Sequence, residues 1–456
     1  MEMDMEALLK DAAKRAARYL EALGERRVSP SRIALDGLDR FSTALQDRPL
    51  DAAEVLEQLD LIGSPAAVAS AGARYFGFVT GGCLPAALAA SILAAAWDQN
   101  AVLQVASPLG AALEKVCRGW IVDLFGLPTE AEIGFVTGAT MANFTGLAAA
   151  RHALLSAVGW DVEARGLFGA PPITVVVGDE VHVSLLKALG MLGLGRERVL
   201  RVPADGQGRM IPGRIPAIDG PTIVCLQAGN VNTGAFDPAD EIAARLHGTG
   251  AWIHVDGAFG LWAAACPSKR HLVRGVERAD SLALDAHKWL NVPYDSGLAI
   301  VRDKRHLNAA MAASAAYLID GGTRDPHLFV PEMSRRARAV EIWAALRSLG
   351  KAGLADLVER CCDHARHFAD GLRAAGYQVL NEVVLNQVLV SFGSAETTRR
   401  VIARVQEEGT CWCGATVWQG KTAMRISVSS WATTEQDVAA SLEAILRSAA
   451  QMPSPA

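Results

Sequence analysis

Five places in the chain set reactive or anion-binding side chains directly after an apolar run. In SLALDAHKWLNVPYDSG (281–297) the run ends at Asp285, His287 and Lys288 follow, and the chain returns through Pro293 and Gly297. Burial disfavours the charged form of a lysine, and the neutral amine that results is a nucleophile toward carbonyl carbon. The plainer alternative is a lysine that snorkels to solvent. In AWIHVDGAFG, Asp256 stands just past a run and beside Gly257; a carboxylate there has to be solvated or paired, or it caps a turn. EIGFVTGATMANFTGLAAAR passes from an apolar stretch through Thr137, Gly138, Ala139 and Thr140 into a helical pattern. Such a junction aims free N–H groups and the positive end of a helix dipole at an anion, although many strand-to-helix turns look the same. VVVGDEVHVSLLKA puts His182 at a helix start, as base, cap or packing residue. LQAGNVNTGAFDP supplies Asn232 and Thr233 after a further run.

These groups have to be held by the elements around them. ITVVVGDE, TIVCLQAG, AWIHVDGA, SLALDAHK and GLAIVRD read as buried strands separated by helical stretches. That pattern predicts an α/β domain over residues 65–335, with a mostly parallel sheet covered on both faces. Residues 1–64 read as an N-terminal helical arm too small to hold a core of its own. Residues 336–456 alternate helix and strand around QVLVSF and MRISVSS, a small α+β domain. Ligands of open α/β sheets gather at the carboxyl ends of the strands, the edge to which all five places belong.

The bulk numbers exclude several classes. A chain of 456 residues, 51% apolar and 20% charged, can bury a large core. Its formal charge of -5 provides no broad basic surface, so nucleic acid is not an expected partner. The mixed-charge N-terminus MEMDMEALLKDAAKRAARYL lacks the basic flank and apolar core of a secretory signal, which points to a cytoplasmic protein. LPAALAASILAAAW, Leu84 to Trp97, has 14 residues, too few to span a bilayer comfortably. It reads as a buried helix, and no membrane is expected. Eight scattered cysteines read as reduced thiols. Cys411 with Cys413 and His364 with His367 lack further ligands nearby, so no metal is expected.

Together, an anion cup, an imidazole, a carboxylate and an amine on one sheet edge match pyridoxal phosphate. That cofactor requires a lysine Schiff base, a carboxylate to keep its ring nitrogen protonated and a phosphate site. The sequence resembles the fold-type I pyridoxal phosphate enzymes, and among them the group II amino acid decarboxylases, the family of aromatic amino acid and glutamate decarboxylases. The likeness runs from RYFGFVTGG through TGATMANFTGLAAAR, HVDGA and DAHKWLNVPYDSG to SRRARAVEIWAALRSLG, with Asp256 and Lys288 32 residues apart.

The resemblance implies that Lys288 carries the Schiff base, Asp256 pairs with the ring nitrogen, His182 stacks on one ring face and Ala258 packs on the other. Gly138, Ala139, Thr140 and His287 would hold the phosphate, and Asn232 would lie near the ring substituents. Phe78, Thr80 and Tyr317 are expected at the substrate, and a two-fold homodimer with composite sites would let Trp97 reach across. Aromatic amino acid decarboxylases of the family carry a loop tyrosine that reprotonates the substrate carbon. Here YLIDGGTRDPHLFVPEMSRRARA has Pro326 or His327 near that place. His327 is the chemically reasonable general acid, an exposed loop histidine being the alternative. Asp285, beside a phosphate site, is expected to turn away and bond backbone or His287. The implied reaction is decarboxylation of an L-amino acid, aromatic ones first. Aminotransfer, for which Arg425 in MRISVSS resembles a carboxylate-binding arginine, is a rival, as are retro-aldol cleavage and oxidative deamination. A non-catalytic binding module is the rival from another class.

Overall fold

The computed structural model describes residues 4–313 and 324–451. Seven strands form the larger sheet: β1 (Glu132–Val136), β2 (Thr174–Gly178), β3 (Leu200–Val202), β4 (Thr222–Gln227), β5 (Trp252–Asp256), β6 (Ser281–Asp285) and β7 (Gly297–Val301), in the order β1-β7-β6-β5-β4-β2-β3. Pairs from β3 across to β6 are parallel, and only β7 runs against its neighbours β6 and β1. Every residue of β1, β5, β6 and β7 is buried, because helices cover both faces. Side chains alternate between two cores: Val175 and Val177 of β2 pack in one, Val176 in the other.

The helix Ala139–Ala157, which follows β1, lies on the face of β5, β6 and β7. Gly146 lets it settle there, since a Cβ at that position would stand 3.1 Å from His254 Cε1 and 3.2 Å from Ser281 Cβ. A second, antiparallel sheet has the order β10-β11-β9-β8, from β8 (Gln378–Val379), β9 (Gln387–Ser391), β10 (Gly414–Trp418) and β11 (Lys421–Ser427). β9 and β11 are the strands expected around QVLVSF and MRISVSS. The edge strands β8 and β10 were not anticipated, the first being only two residues long and the second half exposed. The helical run Ala339–Ala374 breaks at Gly350, whose φ of 60° leaves the helical region.

One expectation fails in the single chain. The segment read as a buried helix does form one, Pro85–Trp97, but Ala87 is its only buried residue. Its inner side packs against Ala339–Ala374, while Ile92, Leu93 and Trp97 are exposed. The N-terminal segment likewise leaves Ile33, in the helix Arg32–Asp36, 85% exposed and Leu45, in the stretch that follows, 92% exposed. All eight cysteines are unpaired. Among the described residues no helix is long and apolar enough to cross a membrane, and no three His, Cys, Asp or Glu side chains gather as metal ligands.

Candidate active site

β5 and β6 lie side by side and each ends in an aspartate. Asp256 is buried, with Oδ1 accepting from the Ala258 N–H at 3.2 Å and Oδ2 from the Asn143 amide at 3.1 Å. Asp285 is buried as well. Its Oδ1 accepts from the Ala139 N–H at 2.5 Å, and its Oδ2 lies 2.9 Å from Lys288 Nζ. The expected backbone bond is made, but the carboxylate faces into the cup, where the first N–H of a helix and the Lys288 amine both draw it.

The cup needs two glycines. A Cβ on Gly138 would meet His287 Cε1 at 2.9 Å, and one on Gly297 would come within 2.4 Å of Gly138 Cα. Both site histidines have their Nδ1 occupied. The Ser184 N–H reaches His182 Nδ1 at 3.2 Å, which caps the helix Val183–Met191, and the Ser296 N–H reaches His287 Nδ1 at 3.2 Å. An Nδ1 that accepts leaves the proton of a neutral ring on Nε2. Burial lowers the pKa of both rings. Asp256 opposes the shift at His182, and Asp285 opposes it at His287. The neutral tautomer with an Nε2 donor is thus the favoured form of each.

Two adjoining hollows share His182 and Lys288. One, the tighter, runs to Asp256 and Ala258; the other, roomier, runs to Gly138, Ala139, Thr140, Asp285 and His287. Arg425 on β11 acts electrostatically on His182. Burial pushes its guanidinium below its ordinary value, and among the described residues no carboxylate pairs with it.

The stretch 74–82 joins the two sheets. Phe76 donates its N–H to Trp412 O at 2.8 Å and accepts from the Ser427 N–H at 3.0 Å. At the other end, a Cβ on Gly81 would stand 1.9 Å from Lys288 O. Phe78 and Val79 between them have φ of 54° and 58°, a left-handed conformation that is costly for a β-branched residue, about 1–3 kcal/mol. Trp412 stacks between Tyr75 and Phe78, with centroids at 5.1 and 5.4 Å, and occupies the space that a Cβ on Gly77 would need. Thr80 is buried, whereas Phe78 is 64% exposed.

Several expected residues lie elsewhere. The Asn232 side chain accepts from the Thr416 hydroxyl at 2.8 Å and lines neither hollow, because the turn after β4 points it at β10. Gln227, Gly229 and Val231 line that wall instead. His327 is buried with Nδ1 3.3 Å from Val102 O, away from both hollows of its own chain. Trp97 sits at a helix end and lines neither. Tyr317 falls outside the described residues. Sequence reasoning also passed over Phe259, Met141 and Ser184, which line the hollows, and Asn143. Asn143 was within reach: it is four residues past Ala139, one helical turn along the same face.

A carboxylate at one end, an amine in the middle and an N–H and imidazole cup at the other correspond in order to a basic ring nitrogen, an aldehyde and a phosphate. The fold and this site define a fold-type I pyridoxal phosphate enzyme. Residues 36–393 match the family described as the pyridoxal-dependent decarboxylase conserved domain, and the chain belongs to that family. It is similar to tryptophan decarboxylase 1 of Oryza sativa subsp. japonica, 27% identical over 83% of this chain and 80% of the relative. It is also similar to the acidic amino acid decarboxylase GADL1 of Mus musculus, 30% identical over 68% of this chain and 58% of the relative. A crystal structure of Oryza sativa TDC with PLP and tryptamine superposes with a TM-score of 0.90, covering 98% of each chain at 23% identity. The protein is a carboxy-lyase of amino acids, and its cofactor is pyridoxal 5'-phosphate.

Proposed function

We propose that the substrate is an L-amino acid with an aromatic side chain, and that the residues gathered around Lys288 divide the work as follows. When bound, pyridoxal phosphate supplies the electron sink for the pair left as carbon dioxide departs. Lys288 would hold the cofactor at its aldehyde carbon. Asp256 would accept a hydrogen bond from the ring nitrogen, and Ala258 would pack on one ring face. His182 covers the other face and directs its Nε2–H at the substrate carboxylate. Gly138, Ala139, Thr140 and His287 hold the phosphate through N–H, hydroxyl and Nε2–H donors. Arg425, which has no acidic partner among the described residues, adds positive charge that draws the substrate's carboxylate toward His182.

The observation that carries the substrate class is the stack of Phe78 on Trp412, an aromatic pair on a stretch that reaches both the Lys288 loop and the small sheet. Carbon dioxide release over a panel of L-amino acids tests it, with keto acid and peroxide measured in parallel. The expected result is faster release from tryptophan, tyrosine or phenylalanine than from glutamate or aspartate. Preference for an acidic substrate would overturn the assignment.

The exposed apolar side of Pro85–Trp97 and of the N-terminal helices supports a homodimer, in which Trp97 would reach the opposite protomer's site. The arm, large and small domains are proposed to meet near residues 64 and 335, and the protein to work in the cytoplasm. Sedimentation at micromolar concentration should give a dimer, and aspartates at Ile92 and Leu93 should dissociate it.

A further inference from the structure

Behind Asp256, on the side away from the hollow, runs a line of buried polar contacts. Asn143 Nδ2 is 3.1 Å from Asp256 Oδ2, and Asn143 Oδ1 is 2.8 Å from His254 Nε2. His254 Nδ1 is 2.8 Å from Ser281 Oγ, and Trp252 Nε1 is 2.8 Å from that same oxygen. Asn143, His254 and Ser281 are fully buried and Trp252 nearly so. None touches either hollow.

The two ends fix the direction of every bond between them. An indole N–H can only donate and a carboxylate can only accept. Trp252 therefore donates to Ser281, whose own hydroxyl proton goes to His254 Nδ1. The one proton of a neutral His254 must then sit on Nε2 and go to Asn143 Oδ1, which leaves the Asn143 amide protons for Asp256. A reversed amide would set oxygen against carboxylate. Burial holds the His254 pKa at about 3, so the ring carries a single proton over the working pH range. Each polar atom in the line has a partner, as a buried network must. The elements are arranged for it: His254 is two residues before Asp256 and shares its face of β5, and Gly146 keeps the helix clear of the imidazole.

We infer that Asn143 and His254 are positioning residues. Together with Ser281 and Trp252 they form a one-way hydrogen-bond line that fixes the Asp256 carboxylate in the rotamer that meets the cofactor's ring nitrogen. This rests on the reading of Asp256 given above, and the test separates the two.

The holoenzyme of Asn143→Leu, which keeps the volume and removes both bonds, is compared with Ser281→Ala, Asp256→Ala and the double variant Asn143→Leu/Asp256→Ala. The readouts are the dissociation constant of pyridoxal phosphate and the position of the absorption band of the lysine-bound cofactor across pH. Thermal unfolding of each cofactor-free form serves as the measure of folding. Outer partners of a bound group typically contribute 10–100-fold, so Asn143→Leu should weaken cofactor binding about tenfold or more and move the band toward that of Asp256→Ala. Ser281→Ala should do the same to a smaller degree, and it reports on the line if Asn143→Leu does not fold. The double variant should bind no more weakly than Asp256→Ala alone, because the line acts only through that carboxylate. Lowered thermal stability with an unchanged band and unchanged affinity, while Asp256→Ala alters both, would overturn the line. If Asp256→Ala itself alters neither, the reading of Asp256 falls and the line falls with it.

Discussion

Asp256 and Asp285 close neighbouring strands of one sheet and are both buried, yet they are held in opposite ways. Asp256 accepts from two neutral donors that lie behind it and beside it, the Asn143 amide and the Ala258 N–H, and neither lies at the cup. Asp285 accepts from the Ala139 N–H and pairs with Lys288, groups that belong to the cup itself. The first carboxylate is held by donors outside the cup and can stay in place when a phosphate arrives. The second competes with an incoming phosphate for the same donors. A buried carboxylate at a strand end is thus not one kind of feature; the origin of its donors decides whether it is fixture or placeholder.

The largest break in this comparison removes the amine between the two. Lys288→Ala should abolish borohydride-fixed cofactor and lower decarboxylation on the order of 10³-fold or more, measured as carbon dioxide release. Next, the aspartates should separate. Asp256→Ala should cost about 10²–10³-fold in turnover, the scale of a lost preorganised electrostatic partner. Asp285→Asn, by contrast, should bind inorganic phosphate more tightly than the parent, since one negative charge leaves the cup. Calorimetric titration with phosphate decides this, and weaker binding would mean that Asp285 assists the cup.

Smaller effects probe the support behind Asp256. Gly146→Ala would press a methyl group on His254 and should destabilise the fold by about 1–3 kcal/mol in urea titration. The lowered pKa of His254, about 3 when folded, gives a pH dependence of defined sign. Its unfolded value is about 6.5, so below that pH the unfolded chain binds a proton that the folded chain refuses. This contribution is fully present above about pH 6.5 and declines toward pH 3, by at most about 1.4 kcal/mol per pH unit. Replacing His254 by a neutral residue should flatten that part of the stability profile.

Much of this was legible in the chain. Five strands were visible because runs such as VVV and LAL are apolar on both faces, as a covered parallel sheet demands. Lys288, Asp256, His182, His287 and the 138–140 turn could be listed because ligand-edge residues directly follow such runs. The direction of Asn232 was not legible: after β4 the chain turns, and no periodicity says which polar side chain faces in. The exposure of Pro85–Trp97 was equally hidden, since burial depends on neighbours that the segment does not encode. His254 and Asn143 carried a signal that went unused, the period of two along β5 and the helical turn from Ala139.

The stretch 74–82 has a mechanical consequence. Phe76 is tied by backbone hydrogen bonds to Trp412 and Ser427 of the C-terminal sheet, and Gly81 is seated on the carbonyl of Lys288 in the larger one. Only the four residues from Gly77 to Thr80 span the gap between these anchorages. Shear between the two sheets would strain that short tether together with the Asn291 contacts to Ser429 and Trp431, and would carry Phe78 along. A substitution far out on the C-terminal sheet that shifts the Phe76 anchorage would thereby move Phe78 without touching it.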